Sequence, residues 1–163
     1  MLMLEARRIF NPAEFIDANI RFPLYDGDLE VAEGIPPVVQ VLADQIATAD
    51  AIIIVGPEYN KAMSGVLKNA LDWISRTKGA PWRDKPVAIL SAAAGRAGGE
   101  RTQMTLRHAM TPFRPHLLTG PEMFVGGASG EFDENGHLTN TRGITLLEEL
   151  MAELRKAAGL TSA

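Results

Sequence analysis

Residues 51–74 read AIIIVGPEYNKAMSGVLKNALDWI. Ile52, Ile53, Ile54 and Val55 are consecutive apolar β-branched residues. Such a run suits a strand covered on both faces, as parallel strands lying between helix layers are. It ends on Gly56-Pro57, one residue without a Cβ and one with φ fixed, so the chain turns abruptly. Val66, Leu67, Ala70, Leu71 and Ile74 then recur at helical spacing and predict a helix over 64–75, with Ser64 as its N-cap. Glu58, Tyr59 and Asn60 are left at the carboxyl end of a strand and in front of a helix, where open α/β sheets bind ligands.

The same pattern recurs downstream. VAILSA (87–92) predicts a second buried strand, and it runs into SAAAGRAGGER (91–101), which holds three glycines and four alanines. Small residues let a flat ligand approach the backbone and use its N–H groups. Each corner also reads as a plain strand-to-helix connection, with Tyr59 covering the edge of the core.

Outward from these two units, apolar spacing predicts a helix at 2–10, stopped by Asn11-Pro12. A further helix opens at Pro36-Pro37 and faces inward with Val38, Val41, Leu42, Gln45, Ile46 and Ala49. Another passes through Leu106, Ala109, Met110 and Phe113, and a final one spans 141–158 with Ile144, Leu147, Met151 and Leu154 inward. A short strand is predicted at 13–17, an irregular loop with a turn at Asp26-Gly27 over 20–30, a broken last strand at Leu117-Leu118 and 122–125, and a turn at 133–136. Strands alternating with helices predict an α/β fold with a mostly parallel sheet, as one domain over 1–163.

The composition agrees with a chain of 163 residues that folds around an apolar core: 46% hydrophobic, 22% charged. There is no cysteine, which removes disulfides, thiolate nucleophiles and thiolate metal sites. A net charge of −4 argues against nucleic acid as a partner. No apolar run approaches the roughly 20 residues that span a bilayer, and the start has no secretory pattern. His108, His116 and His137 lack metal-ligand spacing and read as structural or surface groups.

PEYN (57–60), GVLKNALDW (65–73), PVAILSAAAGRAGGERTQMTLR (86–107), GPEMFVGGA (120–128) and FDENGHLT (132–139), in this order, resemble the NADPH-dependent FMN reductases. That family has a flavodoxin-like fold and includes bacterial quinone, azo-dye and chromate reductases. The resemblance covers essentially the whole chain. It implies a three-layer flavodoxin-like sandwich, FMN as cofactor, NAD(P)H as co-substrate, a quinone-like acceptor, a homodimer or homotetramer, and a cytoplasmic location.

Carried over position by position, Pro57, Glu58, Tyr59 and Asn60 match the loop along the isoalloxazine ring and ribityl chain. Ser91, Ala92, Ala93, Gly95, Arg96 and Gly98 match the loop at the ring's polar edge. The cofactor does the electron chemistry, so no catalytic side chain is implied. Arg96 and Arg101 are candidates for the NADPH 2′-phosphate or ordinary surface arginines. Trp73 and Trp82 flank a loop that family members use near the subunit interface, with simple packing the better reading for Trp73. Ser64 stands where the family usually has proline.

Family members begin with a strand and a Gly-Ser-x-Arg loop that wraps the FMN phosphate. Met1–Phe10 match the remainder of the first helix, so that strand and loop are absent from this chain. In the strand order of the fold the absent strand lies beside 51–55, in the sheet interior. Losing about three charge-assisted bonds to phosphate, each roughly 1.5–3 kcal/mol, would make a nanomolar flavin site micromolar at best. Two readings stay open: a natural start upstream, or a variant that rebuilt its sheet across a homodimer. The alternatives to a reductase are a flavin-free or weakly flavin-binding module that keeps the fold, and a one-electron carrier of the flavodoxin type.

Overall fold

The computed structural model describes residues 1–160. Its helices are α1 (Leu2–Phe10), α2 (Gly27–Glu33), α3 (Pro37–Thr48), α4 (Gly65–Ile74), α5 (Glu100–Met110) and α6 (Thr141–Ala157). Its strands are β1 (Ile52–Gly56), β2 (Pro86–Ala92), β3 (His116–Leu117) and β4 (Met123–Val125). All the ladders are parallel: β1 pairs with β2, and β2 pairs on its other side with β3 at one end and β4 at the other. The broken last strand is therefore two short segments that share one neighbour.

β2 is the centre of the molecule, buried from Pro86 through Ser91. Successive residues of a strand face opposite ways. Ala88 and Leu90 accordingly enter one core with α1 and α6, while Val87 and Ile89 enter the other with α3, α4 and α5. The α/β class and the helix–sheet–helix layering follow the sequence expectation.

The strand expected at 13–17 does not form; these residues are irregular. The physical reason lies at β1. Its outer edge has no partner strand among the described residues, so 13–17 finds no ladder to join. Phe15 instead lies under the Arg7 guanidinium, 4.9 Å from its ring centre. The following segment is held by α4 side chains in place of backbone partners. Asn69 Nδ2 and Trp73 Nε1 both donate to Pro23 O, at 3.0 and 2.8 Å, and Tyr25 N–H donates to Asn69 Oδ1 at 2.9 Å.

The turn expected at Asp26-Gly27 is the start of α2, where the Asp26 carboxylate accepts the N–H groups of Asp28 and Leu29. The inward face of α3 is Val39, Leu42, Ala43 and Ile46, with Val38 and Val41 exposed. So many apolar residues crowd that helix that spacing fixed its period but set its face one residue off. On α4, Val66 is exposed, and Asn69 and Trp73 join Ala70, Leu71 and Ile74 inside. Ser64 occupies the N-cap position with extended backbone, and its hydroxyl makes no capping bond.

Candidate functional site

Both unusual corners sit at the carboxyl edge of the sheet, after β1 and after β2. The first contains a tight reversal: Tyr59 and Ala62 exchange N–H···O bonds, each 3.0 Å. Its central residues, Asn60 (φ 49) and Lys61 (φ 65), are both left-handed, as a type I′ turn requires. Asn tolerates that conformation; lysine does so at a cost of about 1–2 kcal/mol. The result presents Tyr59 to solvent, 62% exposed.

The second corner bounds a cleft of about 680 Å³ lined by Glu58, residues 93–99 and Arg101. Its loop is clipped to the segment after β4: Ala93 N–H donates to Val125 O (3.0 Å), Ala128 N–H to Ala93 O (3.1 Å) and Gly127 N–H to Gly95 O (3.4 Å). The approach leaves no room for side chains. A Cβ on Gly98 would lie 2.8 Å from Phe124 Cβ and 2.9 Å from Gly126 N, and one on Gly126 would collide with the Arg96 carbonyl. Between these clips, the N–H groups of Ala94, Gly95, Arg96 and Ala97 take no acceptor among the described residues. Four adjacent free donors on an exposed glycine-rich loop suit an electron-rich, planar ligand edge.

The two corners are joined through α5. The Glu58 carboxylate accepts the Arg101 backbone N–H at 3.1 Å and the Arg101 Nη1 at 3.3 Å. It thereby serves the first turn of α5, where negative charge is favoured. Thr105 Oγ1, one turn further along α5, accepts Met63 N–H at 3.1 Å. Of the two arginines singled out as phosphate candidates, Arg101 is thus engaged by Glu58, while Arg96 lines the cleft with no ion pair among the described residues.

The structure gathers Glu58, Ala93, Gly95, Arg96 and Gly98 around one cleft. Tyr59 and Asn60 stand beside it in the exposed turn, with Pro57 half-buried behind them. Ala92 closes β2, half-buried. Ser91 is fully buried beneath the loop, its hydroxyl donating to Gly98 O at 2.7 Å. Sequence reasoning missed Gln103, which is buried under the same loop. A polar residue at a position where the helix turns inward, next to Leu106 and Met110, was the signal available.

A second cleft of similar size lies at the opposite edge, between the C-terminal ends of α4 and α5, and includes Trp82 and Phe113. Trp73 is a packing residue, its ring edge-on to Tyr25 at 5.0 Å. His137 bonds the buried Glu5 carboxylate, a structural contact far from either cleft in sequence. Among the described residues, no group of three or more His, Cys, Asp or Glu side chains could hold a metal ion. No helix among them is long and apolar enough to cross a membrane.

The sequence profile of the NADPH-dependent FMN reductases matches residues 6–130. An NAD(P)H-dependent FMN reductase of Pseudomonas aeruginosa is 41% identical over 133 residues, covering 82% of this chain and 71% of that protein. A quinone reductase of Escherichia coli is 40% identical over 129 residues, 74% of this chain and 68% of its own length. Among solved structures, FerB of Paracoccus denitrificans, a flavoenzyme NAD(P)H:(acceptor) oxidoreductase, superposes with a TM-score of 0.85 at 25% identity, over 97% of this chain and 87% of its own. The flavodoxin-like layering, the paired corners and this profile agree, and the chain belongs to the NADPH-dependent FMN reductase family.

Proposed function

We propose that the protein is an FMN-dependent NAD(P)H oxidoreductase that passes electrons to a quinone or similar acceptor. The observation that carries this reading is the run of free N–H groups at Ala94–Ala97, held over β2 beside Glu58 and the Tyr59 turn. The residues present fit the ring end of a flavin: a glycine-rich wall, amide donors for the ring's polar edge, and an exposed aromatic side chain next in sequence to the cleft-lining Glu58. Bound FMN supplies the electron transfer between NAD(P)H and acceptor, chemistry that no side chain here provides.

The chain's own part is positional and electrostatic. Amide donors fixed before a ligand arrives favour negative charge on the ring edge without rearranging for it. Gly98 and Gly126 let the loop seat closely enough to hold those donors in place. Arg96 lines the cleft with no ion pair among the described residues, and it is the side chain we assign to attract the phosphates of a nicotinamide nucleotide. We further propose a cytoplasmic homo-oligomer, dimer or tetramer, built from one flavodoxin-like unit over 1–163.

The test is steady-state oxidation of NADPH by the purified chain, with FMN and a benzoquinone each present or omitted. Oxidation that requires both additions supports the reading. A chain that binds FMN yet leaves NADPH and NADH unoxidised would overturn it in favour of a one-electron carrier.

A further inference from the structure

Gln103 makes two hydrogen bonds through one amide nitrogen. Nε2 donates to Ser91 Oγ at 3.0 Å and to Met123 O at 2.8 Å, joining α5 to β2 and β4. Ser91 passes the constraint onward, donating from Oγ to Gly98 O at 2.7 Å. The site loop therefore rests on a polar node of two side chains, Gln103 at 1% exposure and Ser91 at 0%. Packing leaves the node little freedom, since a Cβ on Gly99 would lie 2.8 Å from Ser91 Cβ.

The node is costly to the fold. Gln103 Oε1 is buried and has no donor among the described residues. An unpaired buried acceptor forfeits its hydration, and an apolar side chain of similar size would avoid that loss. A residue kept only for packing would lose little by becoming methionine, which removes that unpaired acceptor along with the two donated bonds. What methionine could not do is fix the direction of the Gly98 carbonyl, and with it the plane of the peptides that run back through Ala97 and Arg96.

We propose that Gln103 is a positioning residue: acting through Ser91, it sets the backbone of loop 93–99 and so governs how tightly, and at what redox potential, the loop's amides hold a flavin ring. This rests on the flavin reading of the cleft. Both residues are buried beneath the loop and outside the lining of the cleft. Ser91, matched by resemblance to the cofactor loop, acts from beneath it.

Gln103→Met and Ser91→Ala test this in the full chain, with three readouts: amide exchange of residues 93–99 without ligand, FMN affinity by fluorescence titration, and the midpoint potential of bound FMN. In Gln103→Met the loop amides exchange faster, FMN binds about tenfold more weakly, and the potential moves toward that of free FMN. Unfolding stability changes little, because the two lost hydrogen bonds are offset by removal of the unpaired Oε1. The Ser91→Ala variant reproduces the affinity loss, and the double variant is no worse than either single one, because both act through one node. If Gln103→Met does not fold, Ser91→Ala carries the same three measurements. Unchanged loop exchange, affinity and potential in a parent that binds FMN overturns the positioning role alone. A parent chain that does not bind FMN overturns the flavin reading and this inference together.

Discussion

Glu5 shows how much one side chain can organise. Its carboxylate is only 2% exposed, yet it takes Arg8 in a two-pronged contact at 2.9 and 2.9 Å, His137 Nδ1 at 3.0 Å and the Leu138 N–H at 3.4 Å. The Arg8 contact, aided by His137 and Leu138, outweighs burial and holds the carboxyl down to about 2. The ordinary value, 4.5, is higher, so the unfolded chain binds this proton more readily than the folded one. The stabilisation is therefore complete above about pH 4.5 and lost as pH falls toward 2, about 3 kcal/mol in all. In urea titrations across that range, Glu5→Gln should flatten this part of the pH dependence; an unchanged slope would assign the acid sensitivity elsewhere. At the other end of the molecule, Lys61→Gly should raise stability by about 1 kcal/mol by relieving a left-handed lysine. It should also weaken flavin binding, by loosening the turn that presents Tyr59. A destabilised Lys61→Gly would mean the lysine side chain holds the turn. Glu58→Ala removes the carboxylate at the first turn of α5, a loss of about 1 kcal/mol in thermal or urea unfolding, with none expected if the arginine simply turns to solvent.

At the scale of elements, α4 and α5 carry more than their apolar stripes suggest. Asn69 and Trp73 anchor the chain at Pro23 and Tyr25, so Asn69→Ala should cost about 1–2 kcal/mol by removing two part-buried bonds, while Trp73 still holds the Pro23 carbonyl. Urea unfolding measures it, and a cost near zero would show the 18–26 segment to be anchored by Trp73 alone. β1, β2, α1, α3, α4, α5 and α6 were all legible, because each pairs a strong period with a clear stop: Asn11-Pro12, Pro36-Pro37, Gly56-Pro57. α2 was not, since seven residues with no buried side chain carry no apolar period. Its one signal was Asp26, equally readable as a turn or a cap. The strand at 13–17 failed for the opposite reason: its residues suit a strand, but a strand also needs a neighbour, which local sequence does not reveal. At the site, the glycines and the PEYN corner were visible as composition. The Glu58–Arg101 bond and the Gln103 node were not, because they join residues 43 and 12 apart through side-chain directions that spacing does not encode.

At the scale of the molecule, two features stand in tension. The sheet's centre is well made, with β2 buried along six residues between two cores. Its β1 edge is not: an apolar strand with one side unpaired among the described residues and no lysine or proline along it to discourage association. The chain should accordingly self-associate as its concentration rises through the micromolar range. Light scattering checks this, and a monomer throughout would mean the edge is covered. The proposed function belongs to the carboxyl end of the strands, where two corners and α5 bound a cleft with exposed loop amides along one wall. The most direct measurement is a fluorescence titration of FMN with this chain. Saturable quenching with a dissociation constant in the micromolar range, abolished by Gly98→Val, which would drive a side chain into Phe124 and Gly126, is the result predicted. Quenching that never saturates, or that Gly98→Val leaves intact, would contradict the cleft between Glu58 and residues 93–99 as the flavin site.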